Sequence, residues 1–226
     1  MTAFLNIYGD LPSRVCEVWQ RTKGPEHGGH RDLSVTAMLM AATAGLAMPW
    51  ESLKDTGAGN KQNWDDHPSF QGGDQASYQK TLRAIEQFCD KRLMACARQD
   101  ELALYHCPSL SDIRTTVEQE GCDHPRLNLQ DHKVRFAIKL IRNALSHNNI
   151  FALGSNLNEI ERLGFFSEHR EGHGCQSTVK GWHVLVTSVG AFERFLQTWF
   201  AMLQTTDSCA PVEMCPAGEN CPAAPQ

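Results

Sequence analysis

The chain lacks an excess of positive charge: 21 Lys and Arg against 26 Asp and Glu leave a formal net charge of −5. That excludes bulk attraction to a polyanion, so any nucleic-acid surface has to be a local basic stripe on an acidic background. Long apolar runs are missing too. The longest uncharged stretch, Leu33–Trp50, is interrupted by threonines, a serine, Gly45 and Pro49. A membrane span needs about 20 predominantly apolar residues, so a buried core helix and no membrane association are expected. Met1–Arg14 has no basic start followed by an apolar segment, and no signal peptide is expected. The nine cysteines then read as mostly reduced thiols of a cytoplasmic protein. Neither a Gly-x4-Gly-Lys-Ser/Thr phosphate loop nor a Gly-x-Ser-x-Gly elbow occurs, which removes the usual motif grounds for a nucleotide-hydrolysing or serine-hydrolase site.

What is present is enough for one packed domain. With 226 residues and 41% hydrophobic content, a domain over 1–204 and a tail over 205–226 is the simplest division. The tail carries four prolines, with Cys209, Cys215 and Cys221 six apart. It lacks the apolar content to pack a core, so disorder is expected there. Residues 1–30 are mixed, with a glycine-rich loop at Lys23–His30. A helix capped by Asp32 runs to about Met48, stopped by Pro49, and its apolar faces make it central. A polar loop over Lys54–Asp74 precedes Tyr78, Leu82, Ile85, Cys89, Leu93 and Cys96, whose spacing predicts a helix over about 75–104. Shorter helical patterns follow at Ser109–Glu120 and Leu129–His147. A glycine-containing connection leads to a last helix over about 183–203. The fold class expected is all-α, a helical bundle with at most a small hairpin between Ile150 and Thr178.

The chemistry concentrates on Asp131–His147, DHKVRFAIKLIRNALSH. At about 100° per residue, Val134, Ala137, Ile138, Ile141 and Leu145 share a core face. Arg135, Lys139, Arg142, Asn143 and Ser146 form the local basic stripe opposite. Phe136 and Leu140 widen the apolar surface, which predicts two neighbours for this helix, one of them suited to a second subunit. Arg142 and His147 are about 140° apart on a regular helix. Either the last turn unwinds at Asn148, or the two residues meet across a symmetric dimer. His147 closes the helix where its dipole favours a cation.

The string Arg142-Asn143-Ala144-Leu145-Ser146-His147 resembles the Arg-Asn-x-x-x-His motif of the HEPN superfamily, and the order of helices over roughly 31–204 resembles it loosely. The resemblance implies a homodimer with the motif at its interface and metal-independent RNA cleavage, often in toxin–antitoxin or phage-defence systems. It implies His147 as general acid/base, Arg142 as phosphate clamp and Asn143 as an orienting group, with Arg135, Lys139 and Ser146 along the RNA path and no cofactor. Asn149 stands where some HEPN toxins carry a modifiable tyrosine, so that control does not transfer; a separate antitoxin or regulator is implied instead. The alternative is a non-catalytic HEPN module that binds RNA, a nucleotide or a protein through the same motif.

Two His/Cys groups compete for attention. His106, Cys107, Cys122 and His124 flank the short helix, but their adjacency and spacing match zinc patterns poorly. His169, His173 and Cys175 lie in a glycine-rich stretch, where surface histidines are the simpler reading. No metal is expected at either.

Overall fold

The computed structural model describes residues 7–21, 34–55, 75–95, 101–118, 126–154, 160–172 and 177–204. In chain order the described elements are α1 (Ile7–Arg21), α2 (Ser34–Asp55), α3 (Gln75–Asp90), β1 (Leu102–Cys107), α4 (Leu110–Glu118), α5 (Val134–His147), β2 (Ile150–Leu153), β3 (Arg162–Glu171), β4 (Thr178–Ser188) and α6 (Val189–Gln204). The four strands form one antiparallel sheet in the order β1-β4-β3-β2.

The sheet overturns the all-α expectation. The helix expected over 75–104 stops at Asp90, and its last residues, Leu102–Leu104, are strand instead. The last helix starts at Val189, because His183–Ser188 belongs to β4. The hairpin expected between Ile150 and Thr178 is part of a larger sheet that reaches back to β1. Local composition explains the result. Strand β4 carries Val179, Val184, Val186 and Thr187, β-branched side chains that lose χ1 freedom in a helix and pack well on a pleated surface. In β1, Leu102 and Leu104 are buried on one face while Tyr105 turns to the other with half exposure.

Helix α5 is the layer between sheet and helices. It packs on β3 and β4 on one side and on α2 and α3 on the other, while α6 packs on α1, α2 and α3. Val134, Ala137, Ile138, Leu140, Ile141 and Ala144 are all buried. Leu140, placed on a second apolar flank by its helical position, is 2% exposed. Phe136 beside it meets the rings of His132 at 4.6 Å and His183 at 5.1 Å. The second neighbour of this helix is therefore the chain's own sheet, and the apolar flank needs no second subunit to cover it. Leu145 is only half-buried.

Helix α2 does not end at Pro49 but continues to Asp55. A proline has no N–H to give the carbonyl four residues earlier, here Gly45. That oxygen accepts instead from the indole Nε1 of Trp199 at 2.8 Å. Gly45 also lets the Phe200 ring approach so closely that a Cβ would lie 2.2 Å from it. Trp199 and Phe200 are almost fully buried, and Phe88 meets Trp199 edge-on at 5.8 Å. Trp19 of α1, 1% exposed, closes this layer from the other side, which the mixed appearance of residues 1–30 did not reveal. Not every face of α2 is covered, since Met40 is 69% exposed.

The sheet's other face carries a smaller cluster. Ile113 of α4 packs on Cys107, Val184 and Val186, with Phe151, Phe166 and Trp182 half-buried beside them. Of the loop expected over Lys54–Asp74, Lys54 and Asp55 belong to α2 and 56–74 lie outside the described residues, as does 205–226, where a tail is expected.

Candidate functional site

Both ends of α5 are fixed by backbone hydrogen bonds. At its start Val134 N–H donates to the Lys91 carbonyl at 2.9 Å, and Leu93 N–H donates to that of His132 at 2.9 Å. The Asp90 carboxylate reinforces this join by pairing with Lys133 at 3.1 Å and Arg135 at 3.0 Å. The hydrogen bond from Lys133, with help from Arg135, holds the Asp90 carboxyl below its ordinary value. At the other end Asn148 adopts the left-handed conformation, φ 56° and ψ 32°. Asparagine tolerates that region better than most residues. The N–H groups of Asn148 and Asn149 both donate to the Ala144 carbonyl, and the chain turns directly into β2. The helix is thus regular through His147, and the reversal falls one residue later.

That regularity decides how the motif is displayed. Arg142 is half-buried, with its Nε buried and its Nη1 donating to the Asn143 side-chain oxygen at 2.8 Å. Asn143 and His147, one turn apart, border a cleft of about 460 Å³ that Arg142 does not line. Asn143 therefore links the guanidinium to the cleft. His147 and Ser146 are exposed. Lys139 is exposed too, and its charge reaches His183. Arg135 is drawn away to Asp90, so the basic stripe is not one continuous free surface.

The rest of the cleft comes from strands that the sequence reading did not single out. Strand β2 pairs only with Arg162–Phe165, and the amide of Phe166 still donates to the Asn149 carbonyl at 3.1 Å. Beyond that point β3 runs on to Glu171 without β2 beside it. Ser167, Glu168 and Arg170 line the cleft there, and Trp182 of β4 faces Glu168 in register. The Glu168 carboxylate accepts from Arg170 Nε at 2.6 Å, and Arg170 Nη1 reaches Ser177 Oγ at 3.3 Å. Trp182 stands edge-on to Phe166 at 5.8 Å.

Next to the cleft, on the sheet face that α5 covers, three histidines gather from three strands. His106 of β1 and His183 of β4 are register partners, and His169 of β3 brings its Nδ1 within 3.2 Å of His106 Nε2. The His169 and His183 rings lie 4.5 Å apart. Burial, then the charges of His169, His106, His132 and Lys139, push His183 down to about 4. Gly181, at φ +151°, makes room, for a Cβ there would stand 2.7 Å from both His106 Nε2 and the Cys107 carbonyl. Of the two His/Cys groups expected from sequence, only His106, Cys107 and His169 are described. His106 and Cys107 point to opposite faces of β1, and Cys122, His124, His173 and Cys175 fall outside the described residues. Among the described residues no group of three or more His, Cys, Asp or Glu is arranged to hold a metal ion. Burial raises the Cys89 thiol to about 12, which makes it a core residue rather than a nucleophile.

A family model described as HEPN pEK499 p136 matches residues 11–209. The chain belongs to this HEPN family. The match runs from within α1 through α6, so the whole sheet and the helices packed on it lie within the HEPN unit. No curated protein and no solved structure matches the chain. Among the described residues of this HEPN protein, no helix is long and apolar enough to cross a membrane. Of the cleft residues on the sheet, Trp182 alone had a legible signal in the sequence. From Trp182 to Thr187 the residues alternate in period two, placing His183, Leu185 and Thr187 on one side and Trp182, Val184 and Val186 on the other.

Proposed function

We propose that this HEPN protein is a metal-independent endoribonuclease that cuts RNA by attack of a 2′-hydroxyl on the adjacent phosphate. The observation that carries the reading is the placement of His147, exposed at the end of a rigidly capped helix and on the rim of an open cleft, one turn from the Asn143 that binds Arg142. His147 takes the 2′-hydroxyl proton as the 2′-oxygen bonds to phosphorus. The bond from phosphorus to the 5′-oxygen breaks, and the imidazolium or water returns a proton to that oxygen. Arg142 stabilises the charge that gathers on the non-bridging oxygens through its forked donors. The products end in a 2′,3′-cyclic phosphate and a 5′-hydroxyl.

Because α5 stays regular to His147, Arg142 and His147 of one chain leave the helix about 140° apart. This supports the dimeric arrangement over an unwound last turn: two copies related by a two-fold axis bring an arginine of one toward the histidine of the other. The protein works in the cytoplasm, in a toxin–antitoxin or phage-defence setting, restrained by a separate regulator.

The competing reading is a non-catalytic HEPN module. It is favoured by the half-burial of Arg142 and the commitment of its Nη1 to Asn143, which suit a structural arginine. Incubation with total RNA in EDTA separates the two. Cleavage that disappears in both Arg142→Ala and His147→Ala, with both variants folded, supports the enzyme. Cleavage unchanged in both, or none in the native protein, refutes it.

A further inference from the structure

We infer that the cleft beside His147 is a nucleobase subsite selective for guanine, built by Trp182, Glu168 and Arg170; the inference rests on the ribonuclease reading for its setting.

The volume, about 460 Å³, accommodates a nucleoside, and its walls have the parts by which single-stranded RNA is read. An unstacked base needs an aromatic platform and hydrogen-bonding groups at its Watson–Crick edge. Trp182 is half-buried, held edge-on by Phe166, and lines the cleft, so its ring is fixed before any ligand arrives. Glu168 is its register partner on the neighbouring strand. Directly opposed side chains in an antiparallel pair have Cβ atoms about 5 Å apart, which sets a carboxylate at the edge of a base laid on that indole.

A carboxylate only accepts hydrogen bonds. Guanine alone of the four RNA bases offers two adjacent donors on that edge, N1–H and the N2 amino group. Adenine and cytosine each pair one amino donor with a ring-nitrogen acceptor, and uracil flanks one donor with two carbonyls. Each of those three sets a lone pair against the carboxylate. A bare Glu168 would repel an incoming polyanion, but Arg170 Nε at 2.6 Å screens it, and the same pairing fixes the carboxylate's orientation. Glu168 and Arg170, two residues apart on β3, pair on a strand whose outer edge β2 leaves open. His147 and Asn143 line the same cleft. A guanine seated here places its ribose and phosphate toward the motif, so cutting beside guanosine follows.

Fluorescence or calorimetric titration with guanosine, adenosine, cytidine and uridine 3′-monophosphates reads the subsite without needing cleavage. The native protein is expected to bind the guanosine nucleotide at least about tenfold more tightly than the other three. Glu168→Gln, which keeps shape and removes the charge, is expected to bring the four within about threefold. Trp182→Leu is expected to weaken all of them together, and thermal melts report whether each variant is folded. Equal affinities in the native protein, no binding at millimolar nucleotide, or a preference unchanged in folded Glu168→Gln overturns the subsite. Cleavage mapping separates this from the enzyme reading. RNA cut without regard to guanine overturns the subsite and leaves the nuclease. Guanine-selective binding with no cleavage upholds the subsite and removes the nuclease.

Discussion

Replacing Leu140 by alanine tests whether the motif helix is buried within its own chain. Leu140 is 2% exposed, on the flank of α5 that also carries Phe136. Truncation removes the side chain's transfer free energy and leaves a cavity that a layer pressed between sheet and helices cannot readily close. Leu→Ala changes at such sites cost about 2–5 kcal/mol, and about 3 kcal/mol is expected here. For a domain of this size each kcal/mol moves the melting temperature by roughly 2–4 °C, giving a fall of about 6–12 °C. Leu145→Ala, at a half-buried position, is expected to cost about 1 kcal/mol. Calorimetry or circular dichroism at protein concentrations a hundredfold apart gives the decisive reading. If the sheet covers Leu140, the loss is the same at both concentrations. A loss below about 1 kcal/mol, or one that grows as concentration rises, shows that the chain itself does not bury this flank and refutes the layering.

Other outcomes follow from the packing and charge. Trp199→Phe leaves the Gly45 carbonyl without its indole donor, beside a proline that cannot supply one; a loss of about 1–3 kcal/mol in urea melts is expected. Gly45→Ala gains about 1 kcal/mol of helix propensity but meets Phe200, and overpacking of about 1–3 kcal/mol makes the net effect destabilising in the same assay. His183, held near 4 against 6.5 for a free imidazole, binds fewer protons folded than unfolded between those values. Its contribution is complete above pH 6.5 and is lost as pH falls toward 4, by about 1–2 kcal/mol after discounting for a half-exposed ring. His183→Gln is expected to flatten the melting temperature between pH 7 and 5, and an unchanged slope would contradict this origin.

How far the sequence showed its structure depends on the element. The motif helix was legible because its apolar positions recur at helical spacing over four turns and Asn148–Asn149 stop it; the observed α5 ends at His147. The sheet was hidden at its joins. Strand β1 follows so closely on the pattern Ile85, Cys89, Leu93 that Leu104, at about 100° per residue, falls in phase with it, although the helix had already ended at Asp90. Strand β4 runs into α6 without a loop, and Val186 and Val189 fit a helical face as well as a strand-to-helix junction. Pro49 misled for a different reason: the compensating donor, Trp199, lies 154 residues beyond the carbonyl it satisfies. Of the residues that line the cleft, Asn143 and His147 were legible on the helix, and on the sheet only Trp182 had a signal, its place in a period-two pattern. The missing walls, Glu168, Arg170 and Trp182, meet the helix only through strand register.

The most direct test of the central claim is the chemistry of the RNA ends. A defined oligoribonucleotide is incubated with the protein in EDTA and the fragments are weighed by mass spectrometry. Attack by the 2′-hydroxyl yields 2′,3′-cyclic phosphate paired with 5′-hydroxyl, expected from the native protein and from neither Arg142→Ala nor His147→Ala. Fragments ending in 3′-hydroxyl and 5′-phosphate, or cleavage that needs a divalent cation, would contradict it.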